Sequence, residues 1–355
     1  MSDERKDLPS ASSCERLCLC PGSWNLEHMC TPESKTPDAI TGTLIHEALC
    51  GDMTAFLALS DEDKEMAIKC ENLAARIASD HLGNAGRMTN EKRLWIHDED
   101  AQPIFSGKFD RLYRDDHRAL IIDFKTGRGE VTHAQGNMQL RALAVLVSEN
   151  YGANHIVVAI VQPWVSPQVT SCIYEQDDLI KSAIYLRDAL EASKSPMAPR
   201  MPGLKQCEWC RAKPICPEAN QQVLALAKTD LGDLQPAEVG RVLDACDLAE
   251  KVIESCRSRA KHLLEEDPLC IPGWHLKEGA KRRTITNPRG AFQAVSDTIA
   301  TEDFMNCVSI KVAELERAFV KARGATAQAG KAEFNARLDG AMEVKASAPS
   351  LERTK

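Results

Sequence analysis

The stretch Gly107-Lys108-Phe109-Asp110-Arg111, followed by Ile121-Ile122-Asp123-Phe124-Lys125-Thr126-Gly127, decides how this chain is read. Two strand-like runs, Ile104 to Tyr113 and Ala119 to Lys125, flank the polar segment Arg114-Asp115-Asp116-His117-Arg118, which predicts a hairpin. Asp123 and Lys125 stand two apart on one strand, so their side chains share a face. Ile121 and Phe124 point away from them or flank them as apolar backing. Asp110 falls on the partner strand. Two carboxylates and an ammonium therefore converge from adjacent strands. Carboxylates are hard oxygen ligands suited to Mg²⁺ or Mn²⁺. A lysine beside them can orient and help activate water, which equips the site to hydrolyse a phosphodiester. An exposed hairpin could carry the same charges. Leu120, Ile121, Ile122 and Phe124 instead make this strand apolar, as in the middle of a sheet.

Outward from this hairpin, helices and strands alternate. Asp61 to His81 repeats apolar residues at Met66, Cys70, Leu73 and Ile77, an amphipathic helix. Ser10 to Glu27, Thr43 to Leu59, Thr132 to Glu149, Asp177 to Ser193 and Lys213 to Lys228 also read as helical. Arg93 to His97, His155 to Val161 and Gln168 to Tyr174 read as strands, and Gly83 to Asn90 as a loop. His46, in Gly42-Thr43-Leu44-Ile45-His46-Glu47, could add a nitrogen ligand to the same metal. Gln139, on the helix after the hairpin, could touch DNA or the lysine. Residues 1–10 read as a frayed tail. The expected fold is α/β, a central mixed sheet flanked by helices, over residues 11–225. Beyond that, residues 226–355 read as mainly helical with a small hairpin over Pro272 to Asn287.

The chain has 14 cysteines. Cys50, Cys70, Cys172, Cys246, Cys256, Cys270 and Cys307 stand singly and read as packing residues. Cys207, Cys210 and Cys216, at C-x2-C-x5-C before Pro217, have the spacing of a metal or iron–sulfur loop.

These motifs together resemble the PD-(D/E)XK nuclease superfamily, in its RecB-like and AddB-like branch with an iron–sulfur cluster, of phage or prophage type. The resemblance covers roughly residues 10–220. It implies a restriction-endonuclease-like core, with His46, Asp110, Asp123 and the backbone carbonyl of Phe124 as metal ligands. It makes Lys125 the catalytic lysine and Gln139 part of the glutamine motif. The tyrosine usual four residues later is Leu143 here. A [4Fe–4S] cluster would use Cys207, Cys210, Cys216 and one N-terminal cysteine. Cys20 fits best, before Pro21-Gly22-Ser23, with Cys14 and Cys18 as competitors. Zn²⁺ on the same thiolates is the alternative. The implied activity is a Mg²⁺- or Mn²⁺-dependent deoxyribonuclease, an exonuclease serving DNA recombination, repair or phage DNA processing. A non-catalytic DNA-binding scaffold that keeps the fold is the other reading.

The formal net charge is −8, which argues mildly against nucleic acid. Local sign matters more. Arg211 and Lys213 lie in one basic island and Lys281, Arg282 and Arg283 in another, and either could hold phosphates. No run is long and apolar enough to span a membrane, and no secretory signal is visible. The expected compartment is the cytoplasm of a bacterium or phage-infected host. Expected partners are DNA and a single-strand annealing or recombination protein, with homo-oligomers left open.

Overall fold

A computed structural model of the chain describes residues 5–30, 37–83, 86–228, 235–277, 287–308, 311–323 and 327–338. The chain forms two compact units, Met1–Leu276 and Lys277–Lys355. In the first, β1 (Arg87–Asn90), β4 (Arg111–Arg114), β5 (Arg118–Phe124), β6 (His155–Val161) and β7 (Val169–Glu175) form one sheet in the order β1-β4-β5-β6-β7. Only the β5–β6 pair is parallel. A separate antiparallel pair joins β2 (Arg93–His97) to β3 (Pro103–Lys108).

The sheet is mixed because its strands are joined in two ways. The Asp115 turn closes β4 onto β5, its carboxylate accepting from the His117 and Arg118 backbone N–H groups at 3.1 and 2.8 Å. A crossover through α6 (Met138–Tyr151) instead returns the chain as parallel β6. Gly152, at φ +73, ends α6 in the left-handed conformation that glycine adopts without a Cβ clash.

β5 and β6 are buried on both faces, as their unbroken apolar runs require. On one face Ile121, Ile156 and Val158 pack with Leu140, Leu143 and Leu146 of α6, and with Leu186 of α7 (Gln176–Lys194). On the other, Leu120, Ile122 and Phe124 pack with Ile45 of α3 (Pro37–Leu49) and with Met66, Cys70 and Ala74 of α5 (Asp61–Leu82). Helices therefore cover both sides of the sheet.

The N-terminal segment is built into this unit. Pro9 accepts from Ser106 N–H at 3.1 Å, and Ser10 bridges Ser106 on β3. Short helices α1 (Cys14–Leu19) and α2 (Ser23–Glu27) follow. After α4 (Met53–Ala58) and the sheet come α8 (Leu204–Glu208), α9 (Pro217–Leu226) and the long α10 (Pro236–Glu266). Leu248 and Val252 of α10 pack against Cys207, Cys216 and Ala219. That packing places α10 in the first unit, so the division between units falls well beyond residue 225.

Several local expectations change. Gly83 to Asn90 holds a strand, β1. The run Ile104 to Tyr113 is split into β3 and β4, and Asp110 precedes β4 rather than lying within it. Ile121 shares Asp123's side of the sheet, and Phe124 packs on the other. Of the single cysteines, Cys70 is fully buried but Cys50, Cys256, Cys270 and Cys307 are exposed.

In the second unit, α11 (Pro288–Val295), α12 (Thr301–Asn306), α13 (Val312–Arg323) and α14 (Ala327–Arg337) are described. The Phe319 and Phe334 rings meet at 5.7 Å between centroids, and Arg323 pairs with Glu333. Most of the expected hairpin, residues 278–286 with Lys281, Arg282 and Arg283, lies outside the described residues. No described helix is long and apolar enough to cross a membrane.

Candidate metal centre

The β4–β5 pairing sets Arg111 opposite Ile122, so one further step sets Asp110 opposite Asp123. The β1–β4 pairing sets Asn90 opposite Arg111, so the same step sets Glu91 opposite Asp110. Glu91, Asp110 and Asp123 thus adjoin, Glu91 just past the end of β1, Asp110 just before β4 and Asp123 on β5. Two hydrogen bonds fix the group: Glu91 N–H donates to Asp110 O at 2.9 Å, and Phe124 N–H to Asp110 Oδ2 at 2.7 Å.

His46 comes down on this group from α3. Its Nδ1 is 3.4 Å from Glu91 Oε1 and 3.5 Å from Asp110 Oδ1. One donor atom each from His46, Glu91 and Asp110 falls within 4.8 Å of the others, a combination found nowhere else among the described residues. Glu91 was not anticipated. The strand before it, Arg-Met-Thr-Asn, lacks the alternation that marks a half-buried strand, and only its register against β4 exposes the residue. Glu91 also has φ +52, in the left-handed region that costs a residue with a Cβ about 1–2 kcal/mol. Such strain persists where the surroundings over-determine it, commonly at functional sites.

The electrostatics follow from burial and partners. Burial opposes a charge on His46, but hydrogen bonds and charge from Asp110 and Glu91 outweigh it and push its pKa up to about 10. Burial would raise the Glu91 carboxyl, yet hydrogen bonds from His46 and Lys108 hold it below the usual range. Asp123 is 3 % exposed, and burial pushes its carboxyl up against the opposing charge of Lys125. Burial works against the Lys125 ammonium, but Asp123 outweighs it and keeps the lysine charged.

Lys125 Nζ lies 2.7 Å from Asp123 Oδ2 and pairs with it. Gln139 Nε2, in the first turn of α6, donates to Asp123 Oδ1 at 3.2 Å. So Gln139 meets the carboxylate rather than the lysine. His46, Asp110, Asp123, Phe124, Lys125 and Gln139 are all brought to this one edge of the sheet, with Glu91 added.

The donor set suits a hard divalent cation: two carboxylates and an imidazole in reach of one another, with Asp123, held by Lys125 and Gln139, outside that three-donor group. Arg111 braces the group from below. It is 2 % exposed and donates to Leu49 O and Glu71 Oε2, both at 2.7 Å, and to Asn90 Oδ1 at 3.0 Å.

The cysteines gather elsewhere in the first unit. Cys20, Cys207, Cys210 and Cys216 are 6, 6, 7 and 8 % exposed. Met201 N–H donates to Cys20 Sγ at 3.2 Å and Gly203 N–H to Cys207 Sγ at 3.4 Å. Cys14 and Cys18 instead face each other, Sγ to Sγ at 3.9 Å. Burial raises the Cys207 and Cys216 thiols, and pushes that of Cys210 up to about 12. Gly22 allows the approach: a Cβ there would lie 2.3 Å from Ala198 O. Buried Glu27 ties the parts together, taking Arg16 Nη2 at 2.8 Å and Arg211 N–H at 2.8 Å. Arg211 thus contributes its backbone here, and Lys213 Nζ donates to Glu208 O at 2.7 Å.

A family model described as "Protein of unknown function (DUF2800)" matches residues 63–354. No curated protein matches the chain. Among solved structures, a protein named SSO0001 aligns at 13 % identity and TM-score 0.33, over 61 % of this chain and 88 % of its own. An alkaline exonuclease from Laribacter hongkongensis aligns at 13 % and 0.27, over 54 % and 89 %. A phage-related exonuclease from Haemophilus somnus aligns at 15 % and 0.26, over 52 % and 92 %. Likeness at this level carries no argument about chemistry, which has to come from the residues.

Proposed function

The chain belongs to the DUF2800 family, and from its site we infer that it is a metal-dependent nuclease hydrolysing phosphodiester bonds in DNA. One observation carries this reading. His46, Glu91 and Asp110 bring their donor atoms together at the ends of β1 and β4, next to Asp123 of β5 with Lys125 against it.

His46, Glu91 and Asp110 would hold a Mg²⁺ or Mn²⁺ ion, with Asp123 Oδ2 and the Phe124 carbonyl completing the donors. When bound, such an ion supplies a Lewis-acid charge to phosphate oxygen and water. The protein's own residues do the rest. Asp123 keeps Lys125 charged, and Lys125 orients the attacking water and opposes the negative charge that builds on the phosphate. Gln139 fixes Asp123 from its other oxygen. Asp110 is itself held by the Phe124 N–H, so the group stays aligned as the substrate enters.

Buried Cys20, Cys207, Cys210 and Cys216 would hold a structural [4Fe–4S] cluster, as the resemblance to the RecB-like branch implies, with Zn²⁺ on the same thiolates as the alternative.

The test is cleavage of end-labelled linear DNA and closed circular DNA in Mn²⁺ or Mg²⁺, with a chelator control. The wild type should degrade linear DNA only with metal, and Asp123→Ala and Lys125→Ala should be inactive. Equal cleavage by those variants would sink the site. A folded, metal-binding wild type that never cuts DNA would leave the scaffold reading.

A further inference from the structure

The turn that follows β6 holds the segment carrying Lys125. The β5–β6 pairing sets Phe124 opposite Val161, so one further step sets Lys125 beside Gln162. Lys125 N–H still donates to Val161 O at 2.9 Å, just past the end of β5. Residues 127–133 then run exposed as far as buried Ala134. A Cβ added at Gly127 or Gly129 would meet nothing within 4 Å, so packing does not fix the chain at those positions.

Gln162 supplies the hold that packing does not. It is 5 % exposed, a buried polar side chain outside the metal site. Its Nε2 donates to Gly127 O at 3.4 Å and to Gly129 O. An amide nitrogen carries two hydrogens, and both go to one loop. The backbone of Gln162 is pinned in turn. Its N–H donates to Gln168 O at 2.8 Å, and its carbonyl accepts from Val165 N–H at 3.2 Å. The same turn grips the loop a second time. Arg128, between the two held carbonyls, lies over the Trp164 ring at 5.2 Å, and Lys69 of α5 lies 4.9 Å from the same ring centre.

The chain is therefore fixed at Lys125 by Val161 and again beyond it, at Gly127 and Gly129, by Gln162. Lys125 has to serve both the Asp123 carboxylate and the attacking water, and a misplacement of about 1 Å at such a group can cost about a hundredfold in rate. Resting on the nuclease reading, we propose that Gln162 is a positioning residue for Lys125. It anchors the loop that follows the lysine and so sets where the ammonium stands, without touching substrate or metal.

The experiment measures Mn²⁺-dependent cleavage of end-labelled linear DNA by the full chain, resolved into kcat and KM. Gln162→Met fills the space and donates nothing. Gln162→Asn keeps the amide but sets it one carbon short of the loop. Each is made in the wild type and in Lys125→Met. The freed carbonyls belong to an exposed loop where water can reach them, so the variants should melt close to the wild type.

Gln162→Met should lower kcat by roughly 10–100-fold while KM and Mn²⁺ affinity stay within about twofold, and Gln162→Asn should fall in the same way. In the Lys125→Met background either change should cost less than about twofold, because no lysine is left to place. A role in stability alone would cost the same factor in both backgrounds.

Wild-type kcat in the variants would overturn the proposal, and so would equal losses with and without Lys125. If Gln162→Met fails to fold, Gln162→Asn decides alone. A wild type that cuts no DNA in Mn²⁺ would defeat the nuclease reading and this inference with it. A wild type that cuts, with variants that cut equally well, would defeat this inference and leave the nuclease.

Discussion

Replacing Arg111 with methionine should be among the most damaging single changes to the nuclease unit. The side chain is 2 % exposed and satisfies three acceptors on three elements: Leu49 O on α3, Glu71 on α5 and Asn90 on β1. Methionine fills much of the volume but donates nothing. The Leu49 carbonyl and the Asn90 amide oxygen would each lose a charged donor, at about 1–3 kcal/mol apiece. Glu71 is half-exposed, so water replaces most of its interaction and little is counted for it. The total is about 2–6 kcal/mol. At about 2–4 °C per kcal/mol for a unit of this size, calorimetry should show the first unit's transition falling by roughly 4–24 °C. Leu49 lies three residues after His46 on α3, so Mn²⁺ affinity measured by titration calorimetry should fall as well. Arg111→Lys keeps the charge but cannot fork to three acceptors, and should fall between. A loss under about 1 kcal/mol for Arg111→Met, with unchanged Mn²⁺ affinity, would refute the bracing argument.

Glu91→Gln keeps the shape and removes the charge, and should weaken Mn²⁺ binding by roughly 10–100-fold in the same titration, on the scale of changes around metal sites. Wild-type affinity would show that Glu91 is no ligand. Lys125→Met should cut DNA cleavage on the order of a hundredfold or more while the protein still binds metal, as for loss of a group that stabilises the transition state. Comparable loss of metal binding would reassign the lysine. Cys20→Ser should strip iron from anaerobically purified protein, expected at roughly four irons per chain, whereas Cys14→Ser should keep it. The opposite pattern would exchange their roles. Gly22→Ala places a Cβ 2.3 Å from a backbone oxygen and should cost about 1–3 kcal/mol in denaturant unfolding. A neutral outcome would mean the approach of the two segments relaxes freely.

The hairpin, β6 and α5 were legible because each is long and its apolar period matches its structure, as in the unbroken run Ile156 to Val161. Asp123, Lys125, Asp110 and His46 stand out as candidates because residue type and spacing limit the chemistry, and the fold brings them to one edge of the sheet. What escaped depends on register rather than on local pattern. β1 is four polar-leaning residues that become a strand only by pairing with β4, and Glu91 is visible only through that pairing. The N-terminal residues read as a tail because nothing within Arg5 to Ser10 shows that Pro9 and Ser10 will meet Ser106. The extent of α10's attachment rests on Leu248 and Val252 meeting Cys207 and Cys216, a contact between distant segments.

The links between the first 27 residues and the cysteine loop span 181 to 193 positions, from Cys20 to Met201 and from Arg16 to Trp209. They impose an order on biosynthesis. At about 5–20 residues per second, translation leaves the N-terminal segment waiting on the order of 10–40 s before its partners emerge. Over that interval Cys20, buried in the finished unit, has no C-terminal loop to pack against. The early chain is therefore a stretch that a chaperone would have reason to cover, and any cluster is loaded late, after the last cysteine has left the ribosome.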